Sequence, residues 1–485
     1  MGNVAVILAG GQGKRMKSER PKVLCSVLGE PMIEWVLTAC ENADIEDICV
    51  IKGYKAQLLD EYVQSRSTRS EVTTILQEEQ LGTGHAVMQA ADFLKSFSDA
   101  NTLVLNGDAP FIDAQTIQDA LDYHVNNDSA VTVVTARLEN PTGYGRIIRT
   151  DEGISGIVEQ KDCEPYQLAI TEVNSGCYWF KTEKLLEVLS EITNDNAQGE
   201  YYLTDCVELL IQKGLRAHAY ISRNPNVVLG ANDRRALLAL NDIARAEIIG
   251  RHLDAGIEVC CSDGVSIGNN VTIGQGTVIH SGVILRGSTT IGENCVLGNN
   301  CIIENTTVGN RVNLNNVQAY DSIIEDNVKI GPFVQLRPGT HIKRGVKIGD
   351  FVEIKNSTIG EYTAVAHLTY IGDSDVGANV NFGCGVVTVN YNGDKKFRTV
   401  IGDNAFIGCN TNLIAPVRVG NGAYTGAGST ITKDIPDNAL AVGRAKAEIR
   451  EGYAASKLHN RIEKYEQIKK SEESGEQNES DKVSE

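Results

Sequence analysis

A glycine-rich turn near the amino terminus is the first group of residues that could bind a ligand. An apolar run of strand length, Val4–Leu8, leads into the sequence AGGQGKRM. A buried strand that ends in such a turn lets backbone N–H groups approach phosphate oxygens closely. Arg15 and Lys22 lie within or beyond this turn and would neutralise phosphate charge. The glycine spacing fits neither the P-loop nor the dinucleotide-binding fingerprint, so neither of those sites is predicted.

A carboxylate that follows a second apolar run is a candidate ligand for a cation. Asp108 comes directly after the run TLVL and the dipeptide Asn106–Gly107. Strands and helical stretches alternate over roughly 230 residues, which predicts a mainly parallel sheet with ligands at the carboxyl ends of its strands. An aspartate in this position also commonly forms a turn or caps a helix, and the residues alone leave that alternative open.

A histidine in the carboxyl-terminal half is the candidate for proton transfer. His367 is followed three residues later by Tyr370 and lies near a polar loop that contains Asn390 and Tyr391. A neutral imidazole near physiological pH is suited to take a proton from an attacking amine. The alternative is a solvated histidine with no chemical role.

The segment that must position this histidine is a repeat with a period of six residues. The first series of aliphatic residues is Ile267, Ile273, Ile279, Leu285, Ile291, Leu297 and Ile303. Neither a helix nor an ordinary strand has this period, which indicates hexapeptide repeats stacked into a thin solenoid. The frame slips before Ile330 and disappears between Phe382 and Ile401, and such interruptions are where function is expected. A purely structural or regulatory solenoid is the alternative.

Composition limits the possible classes of protein. The chain has 485 residues and a formal net charge of −18, so two or three domains are expected, without nucleic acid or an acidic membrane as partner. No apolar run approaches the length of about twenty residues that spans a membrane, and a strand begins too early for a signal peptide. Twelve cysteines without a C-x-x-C pair favour reduced thiols and a cytoplasmic location over disulfides or zinc.

The sequence predicts four segments. Residues 1–230 form an α/β domain, 231–256 a linker helix, 257–448 the solenoid and 449–485 a charged, largely disordered tail. The linker carries an apolar stripe at helical spacing, formed by Leu237, Leu240, Ala244 and Ile248. Such a helix either separates the two domains as a spacer or packs on the first domain.

The motifs of the first domain resemble one enzyme family. They are, in order, LAGGQGKRM, PKVL, QEEQLGTGHA, LNGDAP, GYGRI, IVEQKD, VNSG, NAQGEYYLTD and GAND. They resemble the sugar-1-phosphate nucleotidyltransferases, most closely the bacterial family of bifunctional N-acetylglucosamine-1-phosphate uridyltransferases and glucosamine-1-phosphate acetyltransferases. The resemblance implies nucleotide contacts at Leu8, Ala9, Gly10, Gly11, Asn106 and Gly107, uracil contacts at Gln77, Gly82 and Thr83, and sugar contacts at Gly145, Glu159 and Asn174. It also implies that Arg15 and Lys22 act on the phosphates and that Asp108 and Asn232 hold Mg²⁺.

The motifs of the solenoid resemble the acetyltransferase half of the same family. They are HLTYIGD, NVNFG, VNYNG and KFRTVIGD. The resemblance implies that His367 is the general base and that Arg337, Lys355, Tyr370 and Asn381 hold glucosamine-1-phosphate. It also implies acetyl-coenzyme A contacts at Cys384, Asn390, Tyr391, Cys409, Ala427 and Arg444.

Four positions depart from the family pattern. Cys384 and Cys409 stand where Ala and Ser are expected, Lys14 where Thr is usual and Asn106 where Tyr is common. A cysteine nucleophile is a third hypothesis for the second site, although the family attacks the thioester directly with the amine.

The resemblance implies a fold and a function together. The expected fold is an α/β nucleotidyltransferase domain with a Rossmann-like mixed sheet, followed by a left-handed parallel β-helix of hexapeptide repeats. The expected protein is a cytoplasmic homotrimer that acetylates glucosamine-1-phosphate and then joins the product to UTP, which yields pyrophosphate and UDP-N-acetylglucosamine for cell-wall precursors. The alternatives are a single-activity nucleotidyltransferase with a regulatory or oligomerising β-helix and a non-catalytic sugar-nucleotide sensor.

Overall fold

The structure is a computed structural model that describes residues 2–151, 153–196 and 199–480. The chain divides into two compact units, residues 1–351 and 352–485. This division lies inside the hexapeptide repeats and differs from the predicted domain boundaries at residues 230 and 257.

The first unit begins with a nine-stranded mixed sheet. Its strands are β1 (Asn3–Ala9), β4 (Asp47–Lys52), β5 (Glu71–Leu76), β6 (Asn101–Asn106), β7 (Val131–Arg137), β8 (Arg146–Thr150), β9 (Gly153–Val158), β10 (Glu172–Lys181) and β11 (Ala217–Ile221). The strands β2 (Ser26–Val27) and β3 (Glu30–Pro31) form a separate small hairpin. The strand order is β11-β7-β10-β6-β1-β4-β5, with the β8–β9 hairpin joined to β10. Strand β10 is antiparallel to β6 and β7, whereas β1 is parallel to β4 and β6.

Helices cover both faces of this sheet. They are α1 (Met32–Asn42), α2 (Ala56–Ser65), α3 (Thr83–Gln89), α4 (Ala91–Lys95), α5 (Ala114–Asn126), α6 (Thr182–Leu189) and α7 (Leu203–Gln212). Side chains of a strand alternate between faces, so Val4 and Val6 enter one core while Ala5 and Ile7 enter the other. Because both faces of the sheet are buried, β1 consists almost entirely of apolar residues. The polar residues of the glycine-rich turn follow its carboxyl end.

The predicted linker helix is α8 (Arg234–Asp254), and its predicted apolar stripe is buried. The Asp233 carboxylate caps it by accepting hydrogen bonds from the backbone N–H groups of Arg235 and Ala236, both at 2.9 Å. The Arg234 Nε donates to the Met16 carbonyl oxygen at 2.9 Å, and the Leu28 N–H donates to the Asn241 side chain at 2.8 Å. The helix therefore packs on the first domain, which is the second of the two alternatives given for the linker.

The repeats of the first unit form three parallel sheets. The strands are Glu258–Val259, Val278–Ile279, Val296–Leu297, Asn313–Leu314, Lys329–Ile330 and Lys347–Asp350 on one face, Ser266–Ile267, Ile284–Arg286, Ile302–Glu304, Val317–Tyr320 and Val334–Leu336 on the second, and Thr272–Ile273, Thr290–Ile291, Thr307–Val308, Ile323–Ile324 and His341–Ile342 on the third. Val278 pairs with Val296, but Val296 pairs with Asn313. The frame slip before Ile330 is therefore a shortening of the turns within continuous stacking.

The repeats of the second unit have the same three-sheet arrangement. The strands are Glu353–Lys355, Tyr370–Gly372, Val387–Val389, Asn412–Ile414 and Thr430–Ile431 on one face, Thr358–Ile359, Ser374–Val376, Thr399–Ile401 and Val417–Val419 on the second, and Ala364–His367, Asn381–Phe382, Phe406–Ile407, Tyr424–Thr425 and Leu440–Ala441 on the third. Phe382 pairs with Ile407, which shows that the polar loop after Val389 is an insertion within one coil. The parallel sheets agree with the predicted left-handed β-helix, and the predicted fold class is confirmed.

The tail differs from the expectation of disorder. A helix, α9, runs over Tyr453–Ser480, and residues 481–485 lie outside the described part of the chain. Its apolar residues Leu458, Ile462 and Tyr465 are exposed. Within the described ranges, no helix combines the length and the apolar character needed to cross a membrane.

A buried histidine makes the stability of the first domain depend on pH. His124 in α5 is fully buried, and its Nδ1 lies 2.9 Å from the Thr132 hydroxyl. Burial and the nearby charges of Lys181 and His218 lower the pKa of His124 to about 4 from an ordinary value of 6.5. The unfolded chain therefore takes up this proton first as the pH falls.

We expect the free energy of unfolding of the first domain to be highest above pH 6.5 and to fall by about 3 kcal/mol towards pH 4 because of this residue. Urea unfolding followed by tryptophan fluorescence measures it, since both tryptophans, Trp35 and Trp179, lie in this domain. His124→Gln should flatten the pH dependence, whereas His459→Gln in α9 should leave it unchanged. An equal slope in His124→Gln would contradict the assignment.

Candidate functional sites

A cavity of 530 Å³ lies at the carboxyl ends of β1 and β6. The glycine turn after β1 approaches its neighbours too closely for side chains. A Cβ on Gly10 would lie 2.9 Å from the Gln77 Oε1, and one on Gly53 would lie 2.5 Å from the Gly10 carbonyl oxygen. Gly13 has a φ of 61°, which starts the short 3-10 turn Lys14–Met16. The backbone of the turn is thereby left open to a ligand.

Three segments that are distant in sequence meet at Lys22 within this cavity. The Lys22 Nζ donates to the Asn232 Oδ1 at 2.7 Å and forms an ion pair with the Asp108 carboxylate. Only 12% of the Lys22 side chain and 24% of the Asp108 side chain are exposed, so these charges interact with little screening. One ammonium group thus lies where a carboxylate oxygen and an amide oxygen converge.

The donor set at this point suits a hard cation. Mg²⁺ prefers oxygen ligands and commonly uses one or two carboxylates together with water and phosphate oxygens. The oxygens of Asp108 and Asn232 already surround one positive charge, so these two residues fit a magnesium site. In the part of the chain that the structure describes, no cluster of three or more His, Cys, Asp or Glu side chains forms a site that is complete by itself.

The wall of the cavity that includes Gln77 is held by hydrogen bonds to its own loop. The Gln77 Nε2 donates to the Gly82 carbonyl oxygen at 3.2 Å and lies 3.1 Å from the His85 Nδ1. The Thr83 hydroxyl accepts from the Leu203 N–H at 3.1 Å and so joins this loop to α7. A fixed carboxamide beside exposed loop backbone can recognise the edge of a nucleobase by hydrogen bonds.

A second cavity, of 400 Å³, shares Leu8, Thr83 and Asn106 with the first. The Asn174 Nδ2 donates to the Tyr178 hydroxyl at 2.6 Å, which fixes one amide on this wall. Burial and the charge of Asp162 raise the pKa of Glu159, another lining residue. Carboxyl and carboxamide groups on an enclosed wall are suited to hydrogen bonds with sugar hydroxyls.

Most of the predicted residues of the first domain line these cavities. The first cavity is lined by Leu8, Gly10, Gly11, Arg15, Lys22, Gln77, Gly82, Thr83, Asn106, Asp108 and Asn232, and the second by Glu159 and Asn174. Ala9, Gly107 and Gly145 do not line either cavity. Gly107 instead donates its N–H to the Leu8 carbonyl oxygen at 2.9 Å, and a Cβ on Gly145 would lie 3.2 Å from the Glu159 Oε1. These glycines support the site by leaving room for their neighbours.

Several lining residues were not predicted. They include Gln12, Gly13, Lys14, Gln80 and Glu200 in the first cavity and Lys161, Asp162, Tyr178 and Tyr202 in the second. Glu200 and Tyr202 belong to the motif NAQGEYYLTD, so these two residues could have been predicted by assigning each residue of that motif.

In the second unit, stacked coils place four predicted residues at one corner, the His367 corner. Val365 pairs with Phe382 and Phe406 with Tyr424 in adjacent coils, and Phe382 pairs with Ile407. This register puts the following residues at equivalent positions of successive coils: His367, Cys384, Cys409 and Ala427. His367 and Cys409 are exposed and Cys384 is half-buried. The corner therefore offers an imidazole and two thiols to a ligand.

The next corner of the same coils contains a carboxylate that was not predicted. The Asn356 Nδ2 and the Asn390 Nδ2 both donate to the Asp373 carboxylate, one to each oxygen. Burial raises the pKa of Asp373, but these hydrogen bonds and the charges of Lys355 and Lys396 outweigh it, so the pKa is lowered. The carboxylate stays ionised and holds the Asn390 amide in place. The strand Tyr370–Gly372 runs between the two corners.

The other predicted residues of the second site lie on or beside these coils. A side chain on Gly372 would collide with the Tyr370 hydroxyl, which lies over it. The Tyr391 hydroxyl donates to the Gly393 carbonyl oxygen at 2.5 Å within the inserted loop. The remaining placements are Lys355 at the end of the strand Glu353–Lys355, Asn381 at the start of Asn381–Phe382 and Arg444 beside Gly428. Arg337 follows Val334–Leu336 in the first unit, so its assignment to this site stays a prediction.

Comparison with known families and proteins decides the family. The nucleotidyl transferase family model matches residues 4–225, and the bacterial transferase hexapeptide model (six repeats) matches residues 270–305, 321–356 and 398–433. The Bifunctional protein GlmU of Acetivibrio thermocellus is 45% identical over 462 residues, which cover 95% of this chain and 99% of that protein. The chain belongs to the bifunctional GlmU family.

Two further GlmU proteins match at similar levels. The Bifunctional protein GlmU of Clostridium perfringens strain SM101 is 47% identical over 94% of this chain and 99% of its own length. That of Streptococcus agalactiae serotype V is 43% identical over 96% of this chain and 100% of its own length. Membership of the GlmU family confirms the predicted bifunctional transferase of UDP-N-acetylglucosamine synthesis, with nucleotidyltransferase and acetyltransferase activities. It does not support the single-activity alternative.

The hydrogen bonds of Asp373 predict a role in acetyl transfer. In Asp373→Asn, the introduced N–H₂ would face the N–H₂ of Asn356 or Asn390, so at most one of these two amides would keep an acceptor, and that acceptor would be uncharged. We expect acetyl transfer to fall about tenfold or more, since a hydrogen bond to a charged group contributes about 1.5–3 kcal/mol.

Separate assays of acetyl transfer and uridylyl transfer measure this effect. Asp403→Asn is a matched control at another corner, where the exposed Asp403 accepts a hydrogen bond from the Ala378 N–H at 2.7 Å. Equal losses of acetyl transfer in the two variants, or a loss of uridylyl transfer in Asp373→Asn, would contradict the role.

Proposed function

We propose that the two transferase activities use two separate groups of residues. The cavities at the strand ends of the first domain bind UTP and N-acetylglucosamine-1-phosphate. The His367 corner and the adjacent Asp373 bind glucosamine-1-phosphate and acetyl-coenzyme A. The observation that carries the first assignment is the convergence of Lys22, Asp108 and Asn232 beside the glycine turn.

In uridylyl transfer, a phosphate oxygen of the sugar phosphate attacks the α-phosphate of UTP. This brings several negative charges together, so the reaction needs cations and in-line positioning more than a covalent nucleophile. Lys22 and Arg15 supply positive charge, and the glycine turn supplies backbone N–H groups. Gln77 and Thr83 are assigned to the uracil, whereas Glu159 and Asn174 are assigned to the sugar.

Asp108 and Asn232 would hold Mg²⁺ through one carboxylate and one amide oxygen. When bound, the ion would neutralise charge that develops on the phosphates. Lys22 would then release these oxygens and turn its ammonium to the phosphates of the nucleotide. The convergence of both oxygens on one positive charge supports this assignment.

In acetyl transfer, the amine of glucosamine-1-phosphate attacks the thioester carbonyl of acetyl-coenzyme A. His367 takes the proton that the amine loses. Lys355 and Arg337 are assigned to the phosphate, because a phosphate dianion needs charge-assisted hydrogen bonds. Asn390 is held by Asp373 and would thus present a fixed amide oxygen beside the reacting groups.

The assembly and location are part of the same proposal. We propose a cytoplasmic homotrimer whose partners are small-molecule substrates, without nucleic acid or membrane. Twelve free cysteines support a reducing compartment. The domain division at residues 230, 256 and 448 also remains a prediction.

Reciprocal substitutions test the separation of the two sites. In His367→Asn, acetyl transfer should fall about 10²- to 10⁴-fold because the general base is lost, while uridylyl transfer is retained. In Asp108→Asn, uridylyl transfer should fall about a hundredfold or more, while acetyl transfer is retained. Each variant is the control for the other. Loss of uridylyl transfer with intact acetyl transfer in His367→Asn would refute the assignment of His367.

The proposed trimer predicts a definite mass in solution. Light scattering on the purified protein should give about three times the chain mass of 52.5 kDa. A monomeric protein that transfers acetyl groups at full rate would contradict a trimeric active form.

A further inference from the structure

Cys384 and Cys409 occupy the His367 corner in two successive coils. The residues around them are fixed by backbone hydrogen bonds between these coils. The Gly383 N–H donates to the Ile407 carbonyl oxygen at 2.7 Å, and the Asn410 N–H donates to the Cys384 carbonyl oxygen at 2.7 Å. The two cysteines, 25 positions apart in sequence, are therefore neighbours across one rung of the β-helix.

This spacing is compatible with a disulfide bond. Neighbouring β-strands lie about 4.8 Å apart, and the Cα atoms of a disulfide are usually about 4.4–6.8 Å apart. The Cys409 thiol lies towards the coil that contains Gly383 and Cys384, because a Cβ on Gly383 would be only 2.8 Å from the Cys409 Sγ. Glycine at position 383, the residue before Cys384, thus leaves room for the Cys409 sulfur.

Both cysteines are free and neither is fully buried, unlike most cysteines of the first domain. Cys409 is exposed and Cys384 is half-buried. Cys40 and Cys206 are fully buried, and burial raises the pKa of each thiol to about 12. Such thiols stay protonated and react slowly, whereas accessible thiols exchange readily with disulfides.

We propose that Cys384 and Cys409 form a reversible disulfide that switches off acetyl transfer while uridylyl transfer continues. The inference rests on the proposed function, because it takes the His367 corner to be the surface that contacts acetyl-coenzyme A. A bond between the two sulfurs would draw these side chains together beside His367. It would change the shape of the surface on which the thioester must lie.

The oxidant is a low-molecular-weight disulfide, RSSR. The Cys409 thiolate attacks one sulfur of RSSR, which forms a mixed disulfide and releases one thiolate RS⁻. The Cys384 thiolate then attacks the Cys409 sulfur and releases the second RS⁻. The two cysteine protons end on the two released thiols, so two Cys–SH and RSSR give one Cys–S–S–Cys and two RSH. The two electrons pass from the cysteine sulfurs to RSSR, and a dithiol reductant reverses the step.

The full-length enzyme can be tested with oxidised glutathione as the probe. After alkylation of the remaining thiols, peptide mass spectrometry should find a Cys384–Cys409 linked peptide that carries no glutathione. Acetyl transfer should fall about tenfold or more while uridylyl transfer is unchanged, and dithiothreitol should restore acetyl transfer. In Cys384→Ala, the reaction should stop at a glutathione adduct on Cys409.

The controls separate this inference from the proposed function. A double variant, Cys260→Ser with Cys261→Ser, removes the exposed thiols outside the corner and should still show the linked peptide and the loss. Absence of the linked peptide, or a stable glutathione adduct on wild-type Cys409, overturns the disulfide. Failure of the reduced enzyme to transfer acetyl groups overturns the proposed function instead, because the linked peptide is detected without any activity assay.

Discussion

The in-register stacking of parallel coils is the constraint on which the second site depends. Each short strand is bonded through its backbone to a strand in the next coil, so a side chain at one corner lies over its equivalent one coil away. Residues 17 to 25 positions apart in the chain thus become direct neighbours. His367, Cys384 and Cys409 are brought together in this way, as are Asp373 and Asn390. A change in the length of one turn would separate them without touching any of these residues.

The first site depends on a different constraint, the shared edge of a parallel sheet. Strands β1 and β6 end side by side, so the glycine turn and Asp108 emerge together. The chain returns to this edge just before α8 and contributes Asn232, whose amide oxygen meets the Lys22 ammonium. The hydrogen bond from Arg234 to the Met16 carbonyl oxygen ties the start of α8 to the glycine turn. The linker helix therefore supports the proposed nucleotide site as well as connecting it to the repeats.

Much of this arrangement was predictable because local sequence carried it. The period of six residues identified the coils, since each inward position must be aliphatic. The motifs singled out Lys22 and Asp108, which the structure brings together, and His367, which stays a predicted site residue. Asp373 was missed because its role arises only when stacking places it between two asparagines, which no local pattern records. The six-residue frame slips before Ile330 because the turns are shorter there, while the pairing of Val296 with Asn313 preserves the stacking. The acidic composition of the tail suggested disorder, but it also contains Leu458 and Ile462 at helical spacing within α9.

The central claim is that the two transferase activities use two separate groups of residues. The most direct test is to mix equal amounts of Asp108→Asn and His367→Asn proteins and to supply glucosamine-1-phosphate, acetyl-coenzyme A, UTP and Mg²⁺. Neither protein alone should make UDP-N-acetylglucosamine at an appreciable rate, whereas the mixture should do so, because each contributes the site that the other lacks. A mixture that stays as inactive as its components would contradict the account.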